Sequence, residues 1–339
     1  MCDKRPEALC MQMCPDSEIS FRNENGLVHI LEMDQPFAER QQNDAGNGAQ
    51  RRSVRRRGNP LKMVKEYRRS VAGVEKVKPT ELRPYSVLMD TITYLLRIVS
   101  EQPCQDTWPH VYEFVSDRLR AVRQDMVVES LDVERGIRLL EAMIPFYVEA
   151  EYRCEFTRCP TYDRKLHLTQ LEECFFRWRQ LVDFFPEKNE RIMVSYLLHT
   201  ASERWSFMQL IGWKKYFCER NYRFIKDVIL ALHMNNFVRF FRLVSQQNDY
   251  LFRLTLVRFF GPVRLLALRA CAVAYRCRGA ALPEKFLEDV LRMDSRNLRF
   301  CLGELGLKAT DGKVCSFGIT LKSNVDMCSP EWIYADFVH

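Results

Sequence analysis

The fold of this chain is decided by three consecutive stretches: Leu282-Pro-Glu-Lys-Phe-Leu-Glu-Asp-Val-Leu-Arg-Met-Asp-Ser295, Leu298-Arg-Phe-Cys-Leu-Gly-Glu-Leu-Gly-Leu307 and Asp311-Gly-Lys-Val-Cys-Ser-Phe317. Pro283 stands where the first turn of a helix tolerates proline, and the apolar residues after it recur on one helical face. Asp294 and Ser295 offer an N-cap for a second helix with the same periodicity, and Gly306 supplies its stop. These stretches predict two short helices in succession.

A hairpin follows the second helix. Asp311-Gly312 is a dipeptide that turns one strand back on another. Helix, N-cap, helix and hairpin is the order of a winged-helix module, which we place at residues 282–322. Such modules dock proteins or nucleic acids and seldom carry out chemistry. Residues 323–339 are interpreted as a C-terminal tail.

Length and composition predict a globular protein. The chain has 339 residues, 47% apolar and 28% charged, enough for a large core. No window approaches the roughly 20 uncharged apolar residues of a membrane span, and the N-terminus lacks the apolar core of a signal peptide. We therefore expect an intracellular protein without membrane contact. The 13 cysteines form no Cys-x-x-Cys pair, so we expect reduced thiols, mostly in the core.

The net charge of +7 is modest for a chain of this length, but one arm of the chain is strongly basic. This arm contains Arg51, Arg52, Arg55, Arg56 and Arg57 in a stretch rich in Gly, Asn and Gln. Clustered arginines suit a nucleic-acid contact or a nuclear-import signal. The same composition is typical of a disordered linker. Both interpretations stay open, and we expect residues 1–58 to be largely disordered.

From residue 84 onward the apolar pattern is helical almost without interruption. Short breaks separate segments near 84–100, 108–127, 131–156, 164–184, 188–211, 217–234, 236–246, 249–259 and 262–277. Short connections favour antiparallel neighbours, so residues 59–281 are predicted to form a superhelix of helical pairs. The expected fold class is mainly α, closed by the winged helix.

The search for chemistry finds no catalytic motif. The chain has no His-Glu-x-x-His, Gly-x-Ser-x-Gly, Gly-x-Gly-x-x-Gly or kinase signature. Its six histidines lie far apart in sequence, and none forms a recognisable metal-binding pattern. We therefore expect no enzyme activity, no cofactor, no metal and no small-molecule substrate.

Two arginine-rich stretches allow two interpretations each. Between Trp108 and Asp125 the arginines lie off the apolar stripe. They either bridge to carboxylates of neighbouring helices or line a groove for RNA phosphate. Between Phe237 and Arg278, phenylalanines alternate with arginines. These rings either stack on unpaired bases or fill the core.

Several motifs in combination resemble the Sac-three/GANP family. They begin with Cys10-x-x-x-Cys14-Pro15, although Met11 and Gln12 depart from the family pattern at its start. They continue with Glu66-Tyr67-Arg68-Arg69-Ser70, Leu82-Arg83-Pro84, the helix from Asp117-Arg118 through Arg123 to Asp125, and the block Leu282 to Leu307. The motifs run in the family's order over nearly the whole chain.

The resemblance implies a fold and a mode of binding. Members look like tetratricopeptide-like helical pairs ending in a winged helix of the proteasome-lid, signalosome and initiation-factor (PCI) type. The winged helix packs beside that of a partner, and the joined surface binds nucleic acid. By position, the candidate contacts are Arg296, Arg299, Lys308 and Lys313. The first two are expected on the face of their helix opposite Leu298 and Leu302.

The resemblance also implies a cellular role. The chain lacks the Phe-Gly repeats, long helix and acetyltransferase region of the large members, and is most similar to the short animal type of the family. That type is associated with centrosome duplication and spindle assembly, in the nucleus or at the centrosome. The alternative is a subunit of a TREX-two-like mRNA-export complex that binds RNA or DNA. Expected partners are another PCI/winged-helix protein and a small acidic subunit.

Overall fold

The computed structural model describes residues 8–34, 57–69, 78–102, 104–275, 281–315, 322 and 325–335. The mainly α prediction is confirmed for these residues, whose strands form one small sheet. The chain divides into two compact units. Unit 1 comprises the described residues up to Tyr147 together with Pro160–Pro186. Unit 2 comprises Val148–Cys159 and the described residues from Glu187 onward.

Most of both units is built from α-helices. In chain order they are α1 (Asp16–Asn25), α2 (Tyr85–Glu101), α3 (Trp108–Val128), α4 (Val133–Thr157), α5 (Arg164–Val182), α6 (Glu190–His199), α7 (Ser206–Gly212), α8 (Glu219–His233), α9 (Phe237–Ser245), α10 (Tyr250–Val257), α11 (Phe260–Ala274), α12 (Glu284–Leu291), α13 (Ser295–Glu304) and α14 (Pro330–Ile333). Within the described ranges, none of these helices pairs the length with the apolar composition that crossing a bilayer would need.

The predicted helical segments match these helices with one exception. The segment near 188–211 contains two helices, α6 and α7. Helix α6 ends because the backbone turns at Thr200, and the hydroxyl of Ser206 then donates to the Thr200 carbonyl. Such a side-chain bond satisfies a carbonyl at the helix end while a new helix begins. The apolar period alone does not reveal this break.

The N-terminal segment of unit 1 is folded where the structure describes it. Residues 8–34 contain α1 and a 3₁₀ turn, Ile30–Glu32. The Cys10 N–H donates to the Leu82 carbonyl at 3.0 Å. A small core forms from Cys14, Ile19, Val28, Met33 and Met63. The prediction of a largely disordered segment over 1–58 therefore needs correction for residues 8–34, whose apolar side chains have a core to fill.

The C-terminal part of unit 2 carries the sheet. Its strands are β1 (Ala281–Pro283), β2 (Lys308–Thr310) and β3 (Lys313–Cys315), in the order β1-β3-β2. Asp311 (φ 51°) and Gly312 (φ 70°) form the predicted turn between β2 and β3, with both residues in the left-handed region that a two-residue hairpin requires. Strand β1 pairs antiparallel with β3 and was not predicted. We call α12, α13 and this sheet the C-terminal module.

Residues 325–335 belong to the core of unit 2. The Trp332 side chain is fully buried, and its Nε1 donates to Glu304 Oε2 at 2.7 Å. The segment passes so close to Gly261 that a Cβ there would collide with the Met327 carbonyl oxygen. The interpretation of 323–339 as a tail is therefore wrong for residues 325–335. A tryptophan that fills a cavity between α11 and α13 has no periodic signature in a segment this short.

Candidate functional site

The candidate nucleic-acid residues of α13 lie on its exposed face. The N-cap residue Asp294 begins this helix, and Leu298 and Leu302 are buried on one side. Arg296 and Arg299 are exposed on the other side. The predicted orientation is therefore confirmed. Arg296 forms no ion pair within the described part of the chain.

Arg299 is tied to the preceding helix. Its Nε and Nη2 donate to the two carboxylate oxygens of Glu284 at 2.5 and 3.0 Å. Glu284 is 4% exposed, so this pair fixes α12 against α13. Hydrogen bonding to Glu284 also raises the pKa of Arg299. The charge of Arg299 is therefore already matched locally, whereas that of Arg296 is not.

The other two candidate nucleic-acid residues, Lys308 and Lys313, lie on the two strands of the hairpin. Lys313 begins β3 opposite Thr310, and its side chain is exposed. Lys308 begins β2, where its backbone faces Cys315. The structure thus places Arg296 and Lys313 as exposed cations of the C-terminal module.

Large apolar side chains accompany these cations. Phe286 on α12 is 47% exposed and Phe300 on α13 is 41% exposed. Exposed aromatic rings on a well-packed module are typical of protein-binding surfaces. Phe286 belongs to the apolar residues that recur on one face of its helix, but the buried apolar residues of this helix are Leu287 and Leu291.

A buried arginine attaches the C-terminal module to the helices before it. Arg264 of α11 is fully buried and donates three hydrogen bonds to carbonyl oxygens, those of Leu291 at 3.1 Å, Arg292 at 2.7 Å and Trp332 at 2.6 Å. Its guanidinium also lies over the ring of Phe241, 5.1 Å from the centroid. Burial lowers the pKa of Arg264 to about 9. The carbonyls at the end of α12 carry the negative end of a helix dipole, which favours a cation there.

The charged centre of unit 1 is built around Glu32. This carboxylate is fully buried and accepts from Arg22, which is 1% exposed. It also accepts from the backbone of Val64 at 3.1 Å and pairs with Arg118 at 3.4 Å. One carboxylate thereby joins the N-terminal segment, residues 57–69 and α3. Buried charges need such multiple partners because each has lost its hydration.

A second group of charges surrounds Asp125 of α3. Its Oδ1 accepts from Lys65 Nζ and its Oδ2 from Arg83 Nε, each at 2.7 Å. All three side chains are buried. Arg83 Nη1 also donates to the Met13 carbonyl at 3.1 Å. Asp125 therefore ties α3 to the segment before α2 and to residues 57–69.

The Glu66-Tyr67 stretch, which directly follows Lys65 in the chain, extends the group around Glu32. The Glu66 carboxylate pairs with Arg118 at 2.8 Å, and the Tyr67 N–H donates to Asp117 at 3.2 Å. The guanidinium of Arg120 lies 3.8 Å from the centre of the Tyr67 ring. We call the whole set the buried ion network; its members are Glu18, Arg22, Glu32, Lys65, Glu66, Arg68, Arg83, Asp117, Arg118 and Asp125.

A family model described as SAC3/GANP family matches residues 13–311. The chain belongs to the SAC3/GANP family. It is 27% identical over 304 residues to "Protein xmas" of Drosophila melanogaster, an alignment that covers 84% of this chain and 14% of that protein. It is 26% identical over 185 residues to "SAC3 family protein B" of Arabidopsis thaliana, covering 53% of this chain and 10% of that protein. The chain thus spans a small fraction of the length of these relatives.

The SAC3/GANP motif residues serve mainly to build unit 1. Glu66, Asp117, Arg118, Arg83 and Asp125 are members of the buried ion network. Cys14 and Pro15 are buried, and burial raises the pKa of the Cys14 thiol. Pro84 is the N-cap of α2, while Arg69 and Arg57 are exposed. Ser70 and the basic-arm residues Arg51, Arg52, Arg55 and Arg56 lie outside the described residues.

The arginines of α3 bridge to carboxylates and carbonyls. Arg123 donates to the Gln170 carbonyl at 2.7 Å and pairs with Glu173 of α5 at 3.0 Å. Because Arg118 and Arg123 are buried, they cannot line a groove for RNA. Likewise Phe240 and Phe241 of the second arginine-rich stretch fill the core of unit 2. In both stretches the structural alternative is the one observed.

One group of possible metal ligands escaped the sequence analysis. His29, His110 and Glu113 bring one ligand atom each within 4.8 Å of one another. His29 Nδ1 already accepts the Leu31 N–H at 3.2 Å, which leaves a proton on Nε2 of the neutral ring. Burial and the nearby Arg118 lower the pKa of His29 to about 3. With Nδ1 accepting a hydrogen bond and Nε2 protonated, the neutral His29 ring offers no free lone pair to a metal ion, so the group does not fit one.

Sequence reasoning missed some of the residues that hold the structure together. Glu32 and Lys65 carry no local pattern, since their partners lie up to 86 residues away. Arg264 stands on the apolar face of α11, and this position was the one signal in the sequence that the arginine is buried. The signal was not used, because arginines in a helical pattern were assigned to the solvent-facing side.

Proposed function

We propose that this chain is a non-catalytic helical scaffold whose C-terminal module is a winged helix that pairs with a partner of similar architecture. The observation that carries this is the attachment of the module through Arg264, together with the exposed rings of Phe286 and Phe300. A module held by two carbonyls at the end of α12 presents these rings on a rigid surface. Preorganisation of this kind lowers the entropic cost of binding.

The proposed setting is centrosome duplication, spindle assembly and mitotic progression. It rests on the resemblance to the short animal members of the SAC3/GANP family. The proposed partners are another PCI/winged-helix protein and a small acidic subunit, and the proposed location is the nucleus, the centrosome or the spindle.

Affinity purification from dividing cells tests this function. We expect the tagged chain to recover a stoichiometric partner, and we expect Phe300→Glu and Phe286→Glu to remove it by placing a charge in an apolar interface. Phe184→Glu is the matched control, because Phe184 is 78% exposed in unit 1. A wild-type chain that migrates as a lone monomer in cell extract would contradict the proposal. Centrosomal or spindle components among the partners favour the mitotic role.

A second candidate function is nucleic-acid binding in an export-type complex. It is supported by Arg296 and Lys313, which are exposed and form no ion pair among the described residues. Lys308 would join them through its position at the start of β2. Because so few cations of the module are unpaired, the module alone would bind nucleic acid weakly. This favours a nucleic-acid surface that is shared with a partner protein.

Salt-dependent binding to a fluorescent single-stranded RNA and to duplex DNA tests this candidate. For the chain with its co-purified partner, Arg296→Glu and Lys313→Glu should each weaken binding and reduce the salt slope by about one. Arg223→Glu is the control, since Arg223 is exposed but already paired with Glu219. An unchanged slope in the first two variants would exclude this surface.

A further inference from the structure

Helix α7 of unit 2 exposes a stripe of large apolar side chains. Trp205, Met208 and Ile211 recur every third residue and are 44%, 69% and 47% exposed. Ser206 and Leu210 are buried on the opposite side, where α7 packs against α6 and α8. The stripe is therefore the outer face of a helix whose inner face is already used.

Exposed cations stand at both ends of this stripe. Arg204 precedes it, and Lys214 and Lys215 follow it in the 3₁₀ turn Lys214–Tyr216. The ammonium groups of the lysines lie over tyrosine rings, Lys214 5.4 Å from the centroid of Tyr222 and Lys215 4.8 Å from that of Tyr216. No carboxylate of the described residues lies within ion-pair distance of these three cations.

This lack of pairing contrasts with three other surface arginines of unit 2. Arg223 pairs with Glu219 at 2.6 Å, Arg191 with Asp249 at 3.0 Å, and Arg239 with Asp227 at 3.0 Å. Positive charge next to exposed apolar surface attracts a ligand that has both acidic and apolar groups. The tyrosine rings also hold the two ammonium groups in place.

We propose that Trp205, Met208, Ile211, Arg204, Lys214 and Lys215 form a docking surface for an acidic amphipathic helix of a partner protein. The apolar face of such a helix covers the stripe, and its carboxylates meet the cations at either end. Helix-in-groove recognition uses this combination of apolar anchors and flanking charges. The surface is argued from unit 2 alone and does not depend on the proposed winged-helix pairing.

Charge argues against a second copy of this chain as the occupant. A two-fold contact through α7 would set the same cations of each copy against one another. The chemistry also favours a peptide over a nucleic acid. Trp205 packs beside Tyr196 with ring centroids 6.0 Å apart, and its neighbours on the stripe are aliphatic, whereas single strands bind through open aromatic platforms.

Fluorescence anisotropy with the full chain and three designed peptides tests this surface. The first peptide is a helix of about 18 residues with apolar residues on one face and glutamates on the other. The second carries lysines in place of the glutamates, and the third carries serines in place of the apolar residues. We expect the first to bind at least about tenfold more tightly than either of the others.

Variants of the chain locate the binding. Met208→Glu with Ile211→Glu, and Lys214→Glu with Lys215→Glu, should each weaken the acidic peptide about tenfold. Met234→Glu is the matched control, because Met234 is 72% exposed elsewhere in unit 2, and it should leave binding unchanged. The proposal is overturned if no peptide binds, if the lysine peptide binds equally well, or if the α7 variants have no effect. Tighter binding through α7 to a uridine 15-mer or to vesicles of phosphatidylserine and phosphatidylcholine would likewise overturn it.

Discussion

The two units bury cations in opposite ways. In unit 1, Arg22, Lys65, Arg83 and Arg118 are matched by carboxylates that are themselves part of the buried ion network. In unit 2, Arg264 is equally buried but no carboxylate lies within ion-pair distance of it in the described chain. Its charge is met by three backbone carbonyls and an aromatic ring.

This difference predicts how each site responds to damage. Removing one charge from a network leaves the opposite charge buried without a partner, which is strongly destabilising. Removing Arg264 takes the only charge away and leaves neutral carbonyls, whose loss of a hydrogen bond costs less. Stability therefore depends on each buried member of the network, whereas around Arg264 it depends mainly on how well the surroundings pack.

The largest effect is expected for Asp125→Ala. This change leaves Lys65 and Arg83 buried without their shared carboxylate, at a cost of about 4 kcal/mol in the free energy of unfolding. Urea denaturation measures it. Asp183→Ala is the control, because Asp183 pairs with Arg179 on the surface, and it should cost no more than about 0.5 kcal/mol. Equal effects of the two substitutions would mean that burial does not distinguish them.

A smaller loss is expected for Arg264→Met. Methionine fills a similar volume but leaves three carbonyls without a donor, at about 1 kcal/mol each, so the free energy of unfolding should fall by about 3 kcal/mol. Hydrogen exchange should show the loss of protection in α12 and at the Trp332 indole. A more stable variant would show that the desolvation cost of the guanidinium exceeds the worth of its bonds.

Acid should weaken unit 1 through a buried histidine. His167 is buried; its Nε2–H donates to the Tyr147 carbonyl at 2.8 Å, and its Nδ1 lies 3.2 Å from the Tyr112 hydroxyl. Burial lowers its pKa to about 4. The unfolded chain, with a histidine pKa near 6.5, therefore binds the proton more readily than the folded chain.

The stability that neutral His167 maintains is complete above about pH 6.5 and is lost as the pH falls toward 4. Between pH 8 and pH 5 we expect His167 to contribute a loss of about 2 kcal/mol to the free energy of unfolding. His167→Gln should reduce the pH dependence by this amount, as measured by urea denaturation across the range. The part that belongs to His29 and His199, whose pKa values burial also lowers, should remain. A slope that persists unchanged in this variant would assign the effect to other groups.

The smallest contrast is between the two arginines of α13. Arg299→Ala removes the partner of the buried Glu284 and should lower the thermal midpoint of unfolding, whereas Arg296→Ala should leave it unchanged. Differential scanning calorimetry of both variants measures this. If both midpoints are unchanged, the Arg299–Glu284 pair is not a structural tie and Arg299 is as available for binding as Arg296.

Sequence periodicity was sufficient to predict most helices and the hairpin turn, but not the contacts that hold these elements together. The N-cap Asp294, the turn Asp311-Gly312 and the helices between 85 and 274 follow from local patterns, because each depends on residues a few positions apart. Strand β1 was missed since its pairing partner β3 lies 30 residues away and Pro283 in the strand argues for a helix start. The order of residues 8–34 was missed because it depends in part on Glu32 meeting Arg118 of α3, 86 residues away in sequence.

The candidate binding residues were predicted only in part. Periodicity was enough to place Arg296 and Arg299 on an exposed face, but it could not separate them, since the partner of Arg299 belongs to another helix. The α7 surface was hidden inside a segment predicted as one long helix. No glycine or proline marks the break between α6 and α7, and Trp205, the N-cap of α7, makes no side-chain capping bond.

Gly261 offers a way to recognise this architecture without coordinates. Any side chain at this position would meet the Met327 carbonyl, so a docked C-terminal segment and a glycine at the start of α11 require each other. In a family member with alanine here, the segment that corresponds to residues 325–335 would have to follow another path. Its tryptophan carbonyl could then no longer accept the hydrogen bond from the arginine at position 264. A glycine at this position therefore distinguishes family members whose C-terminal segment packs into the core from members in which it does not.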